Sequence, residues 1–151
     1  MKISKLHIPE SKTTPEIDFN PENGMLVLKG KSIPENATKV YEPVIEWLKE
    51  YIKKAPEKTF LHFNVSYFNT ASSIWMARMV KVLSKIDDRE KLLTINLYFH
   101  IEEYDEMDDE DIHEAIGMVV RVLDEATVSL GVKVFGIDDH DTILKERLIL
   151  L

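Results

Sequence analysis

Asn69, Thr70, Ser72 and Ser73 stand together, with Ala71 among them, where an extended segment gives way to a helical one. The first amides of a helix lack intrahelical partners and carry partial positive charge, so an anion is favoured there. Three of the four side chains are hydroxyls, and a hydroxyl at this point is a sensible phospho-acceptor. Phosphorylation adds roughly −1.5 to −2 charge and three strong acceptor oxygens, enough to change a docking surface with little refolding. The plain alternative is a helix cap, which Asn69 or Thr70 supplies alone. The residues alone favour the cap, and two details soften that: one such residue suffices for capping, and Ile74 projects with Arg78 and Lys81 toward the polar side of the helix.

Other chemistry finds little support. The run Glu102–Asp111 holds eight carboxylates in ten residues, and oxygen-rich clusters bind calcium or magnesium, but the EF-hand spacing and its glycine are missing. A divalent-metal site there is the lesser alternative to a solvated strip leading into a helix start, where Asp108, Asp109 and Glu110 suit the dipole. The five histidines, His7, His62, His100, His113 and His140, show no ligand spacing, and His62 and His100 alternate with apolar residues as sheet positions do. With no cysteine there is no thiol nucleophile, thiolate metal site or disulfide, in keeping with a reducing, cytoplasmic setting. Glycines are too few and scattered for a phosphate loop. The reading is a binding protein rather than an enzyme, with no catalytic residue, metal or cofactor.

A chain of 151 residues with net charge −8 fits one domain and repels phosphate backbones, so nucleic acid is not an expected partner. No apolar run reaches the ~18 residues of a membrane span, and Met1–His7 is too polar for a signal peptide.

The elements that position the hydroxyl cluster follow from periodicity. Lys5–Pro9, Glu16–Phe19 and Met25–Leu28 read as short strands, the last two joined as a hairpin through Asn20-Pro21-Glu22-Asn23-Gly24. A helix over Ala37–Lys54, capped by Asn36 or Ser32, carries Pro43, which either kinks it or marks a later start near Glu42. Thr59–Val65 is a strand feeding a helix over Ala71–Ile86, whose core face is Trp75, Met76, Met79, Val80, Val82, Leu83 and Ile86, opposite Arg78, Lys81, Ser84 and Lys85. Leu92–Phe99 is a strand, followed by an acidic turn and a helix over Asp108–Thr127; Val132–Phe135 is the last strand. Trp47, Trp75 and the methionines read as packing. These units make an α/β domain over residues 1–137, a mixed sheet with an N-terminal antiparallel hairpin and then βαβ units with helices packed on the sheet. Residues 138–151 form a tail with a short apolar helix from Ile143 to Leu151, covered by its own domain or by a second copy in a homodimer.

At the hydroxyl cluster the chain resembles the SiaC-like regulatory phosphoproteins, small bacterial proteins with a fold akin to STAS domains and anti-sigma-factor antagonists. The matching stretches are Thr14–Ile17, Gly30–Asn36, Tyr67–Ser73 and the acidic run Glu102–Asp111. The family's Asn-Thr-Ser-Ser is written here Asn69-Thr70-Ala71-Ser72-Ser73. The resemblance implies a non-enzymatic switch in which Thr70 is phosphorylated by a kinase and freed by a protein phosphatase 2C type enzyme, while the unphosphorylated form binds and activates a diguanylate cyclase. The docking surface is then Asn69, Ser72, Ser73, Ile74 and Arg78. A close variant is an anti-sigma-factor antagonist with Ser72 or Ser73 as acceptor.

Overall fold

A computed structural model describes residues 3–150; Met1, Lys2 and Leu151 lie outside the described residues. The strands are β1 (Leu6–Ile8), β2 (Glu16–Asn20), β3 (Met25–Ser32), β4 (Lys58–Phe68), β5 (Leu92–His100), β6 (Ser129–Ile137) and β7 (Ile143–Leu150). The helices are α1 (Ala37–Tyr51), α2 (Thr70–Leu83), α3 (Ile101–Glu106), α4 (Asp109–Ala115) and α5 (Gly117–Val120). None is long and apolar enough to cross a membrane.

The strands form one sheet in chain order, β1-β2-β3-β4-β5-β6-β7. The β1-β2-β3 pairings are antiparallel, β3 through β6 run parallel, and β7 returns antiparallel to β6. Parallel neighbours need crossovers, and right-handed crossovers that always step the same way put every helix on one face. Burial agrees: Ile17, Phe19, Leu26, Leu28, Leu61, Phe63, Leu93, Ile95, Val132 and Val134 are buried in one cluster with Tyr41, Val44 and Leu48 of α1 and Met76, Met79 and Leu83 of α2. The alternate residues of β3 to β6 line a second face that no helix covers. There Asp141, in the β6–β7 turn, pairs with Lys29 of β3 at 2.6 Å and accepts from Asn64 Nδ2 of β4 at 3.5 Å. A flat sheet spaces β6 and β3 about 14 Å apart, so the β6–β7 turn and the long Lys29 side chain reach toward each other across this face.

Gly24, at φ 73, turns the β2–β3 hairpin in the left-handed region, where an added Cβ would also run into the Lys58 carbonyl. Gly30, at φ 125, sits at the register shift of β3 against β4 and re-aims the strand end that carries Ser32.

One open alternative is settled and three expectations change. Helix α1 starts at Ala37 with Asn36 Oδ1 accepting from Lys39 N at 3.2 Å, so Pro43 lies inside it and not at its first turn. The helix expected over 108–127 is broken at Ile116–Gly117 into α4 and α5, because glycine costs about 1 kcal/mol in a helix and the valines after it lose rotamer freedom. The acidic turn is largely helical: Glu102 to Glu106 belong to α3, and Asp108 and Asp111 close a capping box on α4. The tail is a strand and not a helix, since its backbone groups pair with the open edge of β6 from Gly131 to Ile137.

Candidate functional site

β4 runs out of the sheet at Phe68 directly into Asn69, and three hydrogen bonds fix that residue. Its backbone N–H donates to the Ser32 carbonyl at 3.0 Å, its Nδ2 to the Pro34 carbonyl at 3.4 Å, and its Oδ1 accepts from Ser72 N at 2.9 Å. Asn69 is therefore the cap of α2, as its residue type proposes. The cap frees Thr70, the first helical residue, whose side chain is exposed and has no hydrogen-bond partner among the described residues. The amides of Thr70 and Ala71 precede the first intrahelical donor, Ser73 N to Asn69 O at 3.1 Å, and face outward unfilled.

Ser72 behaves oppositely. It is fully buried, donates to the Ser32 carbonyl at 2.8 Å and accepts from Ser32 Oγ at 2.7 Å; Ser32 Oγ in turn bonds Tyr41 OH. This three-hydroxyl network joins the end of β3, α1 and the start of α2. Ser72 therefore cannot be a docking residue or an accessible phospho-acceptor, which corrects that expectation: its hydroxyl is committed to holding the helix in place. Ser73, half-buried, donates to the Thr70 carbonyl at 2.7 Å.

Around Thr70 the surface is apolar. Ile33, Tyr67, Phe68 and Ile74 are 42%, 65%, 54% and 49% exposed, half of the large exposed apolar side chains among the described residues, and β3 brings Ser32 opposite Phe68 in register. Contiguous exposed apolar area is a mark of interaction sites. Ile74 and Arg78 do project outward, as helical spacing implies, with the Arg78 guanidinium 4.4 Å from the Trp75 ring centre. Together with Phe68, Ser73 and Lys81 they line a groove of about 740 Å³ whose far wall is Met118 and Arg121. Arg78, Lys81 and Arg121 make no ion pair among the described residues. Ser84, expected beside them, is instead buried, its hydroxyl bonded to the Lys81 carbonyl at 2.6 Å.

The structure gathers Asn69, Thr70, Ser73, Ile74 and Arg78 at the start of α2, puts Ser72 in the core, and sets Ile33, Tyr67 and Phe68, which the sequence reading did not single out, on the exposed surface near them. A signal for the last two exists: consecutive aromatics in a strand point to opposite faces, so Tyr67 and Phe68 cannot both enter the core.

The carboxylates of the acidic run are dispersed. Asp105 pairs with Lys145 at 2.8 Å, Asp108 and Asp111 serve the α4 cap, and among the described residues no three His, Asp or Glu side chains gather as a metal site would require. His62 Nδ1 meets Tyr98 OH at 2.7 Å, and burial lowers its pKa below the ordinary histidine value. His100 Nε2 pairs with Asp139 at 2.9 Å.

Comparison with known proteins relates the chain to a family and to solved structures of the same fold. Residues 8–123 match the family model described as SiaC family regulatory phosphoprotein. An uncharacterised protein of Pseudomonas aeruginosa is 29% identical over 86 residues, covering 57% of this chain and 66% of its own length, just short of two thirds. Among solved structures, apo-SiaC of Pseudomonas aeruginosa superimposes with a TM-score of 0.63 at 21% identity, over 86% of this chain and 98% of its own. SiaC in complex with the diguanylate cyclase SiaD, which it activates, gives 0.64 at 20% identity over 85% and 98%.

Proposed function

The chain belongs to the SiaC family of regulatory phosphoproteins, and from that premise we propose that it is a non-enzymatic switch set by phosphorylation of Thr70. The observation that carries the reading is the contrast at the start of α2: Thr70 is exposed among Ile33, Tyr67, Phe68 and Ile74, while Ser72 two residues on is sealed in the core. In the unmodified form this neutral, apolar rim and the α2 groove dock a partner. A phosphate on Thr70 places up to about two negative charges in that rim, where desolvation on docking costs most. The outward amides of Thr70 and Ala71 keep the modified form folded.

The output partner in this reading is a diguanylate cyclase, by analogy with the complex of SiaC and SiaD; a kinase and a protein phosphatase 2C type enzyme set the state of Thr70. The STAS-like relationship of the fold and a cytoplasmic setting belong to the same proposal. The burial of Ser72 disfavours the anti-sigma-factor-antagonist variant with that residue as acceptor.

Titration of the unmodified protein with a diguanylate cyclase of the same cell, alongside Thr70→Asp and Thr70→Ala, tests it. Thr70→Ala is expected to bind like the parent and Thr70→Asp at least about tenfold more weakly. Unmodified Thr70 in protein recovered under every growth condition, together with unchanged partner capture by Thr70→Asp, would defeat the reading.

A further inference from the structure

Across the sheet from Thr70, the helix-free face carries an open cleft of about 520 Å³, within the range of small-molecule sites. We propose that it binds a small amphipathic anion, an apolar or aromatic body carrying one carboxylate. Its walls are apolar: Met25, Phe60, Leu92, Phe135 and Leu148. Phe135 is buried yet stands outside the main core cluster, stacked on Tyr98 at 4.9 Å.

The floor is polar and opens into the cavity. Thr94 and Asn96, on the central strand β5, are 6% and 3% exposed, and both line the cavity. Neither side chain has a hydrogen-bond partner among the described residues. Bonded to nothing in the protein and open to the cavity, they are left to water or a ligand, and an asparagine amide offers two donors and an acceptor. Beside Asn96 in register lies His62, whose Nε2 is enclosed without a partner while Nδ1 engages Tyr98. A hydroxyl and an amide held ready on the floor of an apolar cleft are what orient a ligand's polar end.

Charge selects the sign. Lys58 and Lys133 line the cavity and no carboxylate does, in a chain of net charge −8. Neither lysine forms an ion pair among the described residues. Lys133 faces Asn96 on one side and Leu148 on the other in register, so a carboxylate on the floor meets a donor and a cation together. Gly131 leaves the bed open: a Cβ added there meets nothing within 4 Å, so a larger side chain fills the cavity without disturbing the sheet.

The proposal does not depend on Thr70, and its test uses the full chain without any partner. Decanoate serves as probe, decanol as its neutral body and butyrate as the head without the body, with affinity from calorimetry and location from the NMR shift of the Asn96 side-chain amide. Decanoate should saturate one site, decanol and butyrate each binding at least about tenfold more weakly. Lys133→Glu should weaken decanoate about tenfold and leave decanol unchanged, while Gly131→Leu weakens both. Circular dichroism melts establish that each variant is folded, and if Gly131→Leu is not, the Lys133→Glu comparison decides. Absence of saturation by decanoate at about 1 mM, equal binding of decanol, or an unmoved Asn96 amide would overturn the proposal. So would a dimer in sedimentation that Leu148→Glu dissociates, because the face would then be covered by a second copy.

Discussion

Thr70 and Ser72 are both small hydroxyls in the first turn of one helix, and their fates are opposite. Residue type and spacing revealed the cluster, because a cap is a local device. They could not reveal which hydroxyl turns inward, because the acceptor that claims Ser72 is Ser32, forty positions away. The difference is measurable: Ser72→Ala should cost about 1–3 kcal/mol in urea unfolding by leaving Ser32 under-bonded in the core, while Thr70→Ala should stay within about 0.5 kcal/mol. Tyr41, in the same network, has its pKa raised above 10.0, chiefly by burial, as do Tyr51 and Tyr98. Their unfolded forms release protons first, so stability is full below pH 10.0 and declines as pH rises through the higher folded values. For His62 the sign reverses. Its folded pKa lies below 6.5 because burial penalises the cation, so its contribution is present above that pH and is lost as pH falls through the folded value. Unfolding free energy followed across both ranges, with Tyr41→Phe and His62→Phe as references, checks the two directions.

Among the elements, long periodic segments were legible and short ones were not. β2 to β6 and the two long helices α1 and α2 emerge from alternation and helical spacing because each has one buried face. The tail fails for a physical reason: Ile143, Leu144, Leu148 and Ile149 in a short run fit either period, and pairing with β6 decides between them. The open face of the sheet was invisible in the sequence, since Phe60, Thr94, Asn96 and Phe135 come from three strands and meet only through register. Pro43 gives an element-level prediction. It is exposed within α1 and cannot donate to the preceding turn, so Pro43→Ala should raise unfolding free energy by about 1–3 kcal/mol. On α2, Ile74→Glu should leave the melting curve unchanged and weaken partner capture by about tenfold or more, because half of that side chain is already in water and the rest faces the groove.

At the scale of the molecule, strand order equals chain order and all helices share one side, so the sheet presents two unlike surfaces: one built around Thr70 and α2, one bare of helices. Truncation before Ile143 would uncover the backbone of β6 along seven paired positions and open the wall at Leu148; the shortened chain should lose several kcal/mol and scatter light on warming. With β7 present, its outer edge has no strand partner among the described residues, a row of backbone groups that matches the same strand of another molecule. Symmetry governs that encounter. Two copies of one strand meeting antiparallel are related by a two-fold axis normal to the sheet, so residues opposite one another must have numbers of equal parity. The two most extended registers over Ile143–Leu150 then set Glu146 or Arg147 against its own copy, and the register centred on Glu146 also sets Lys145 against Arg147, all like-charge pairs. Glu146 and Arg147 thus act as a parity lock on the longest pairings: a rim that pairs readily with its neighbour in the chain meets its own twin at full length only by setting like charges together.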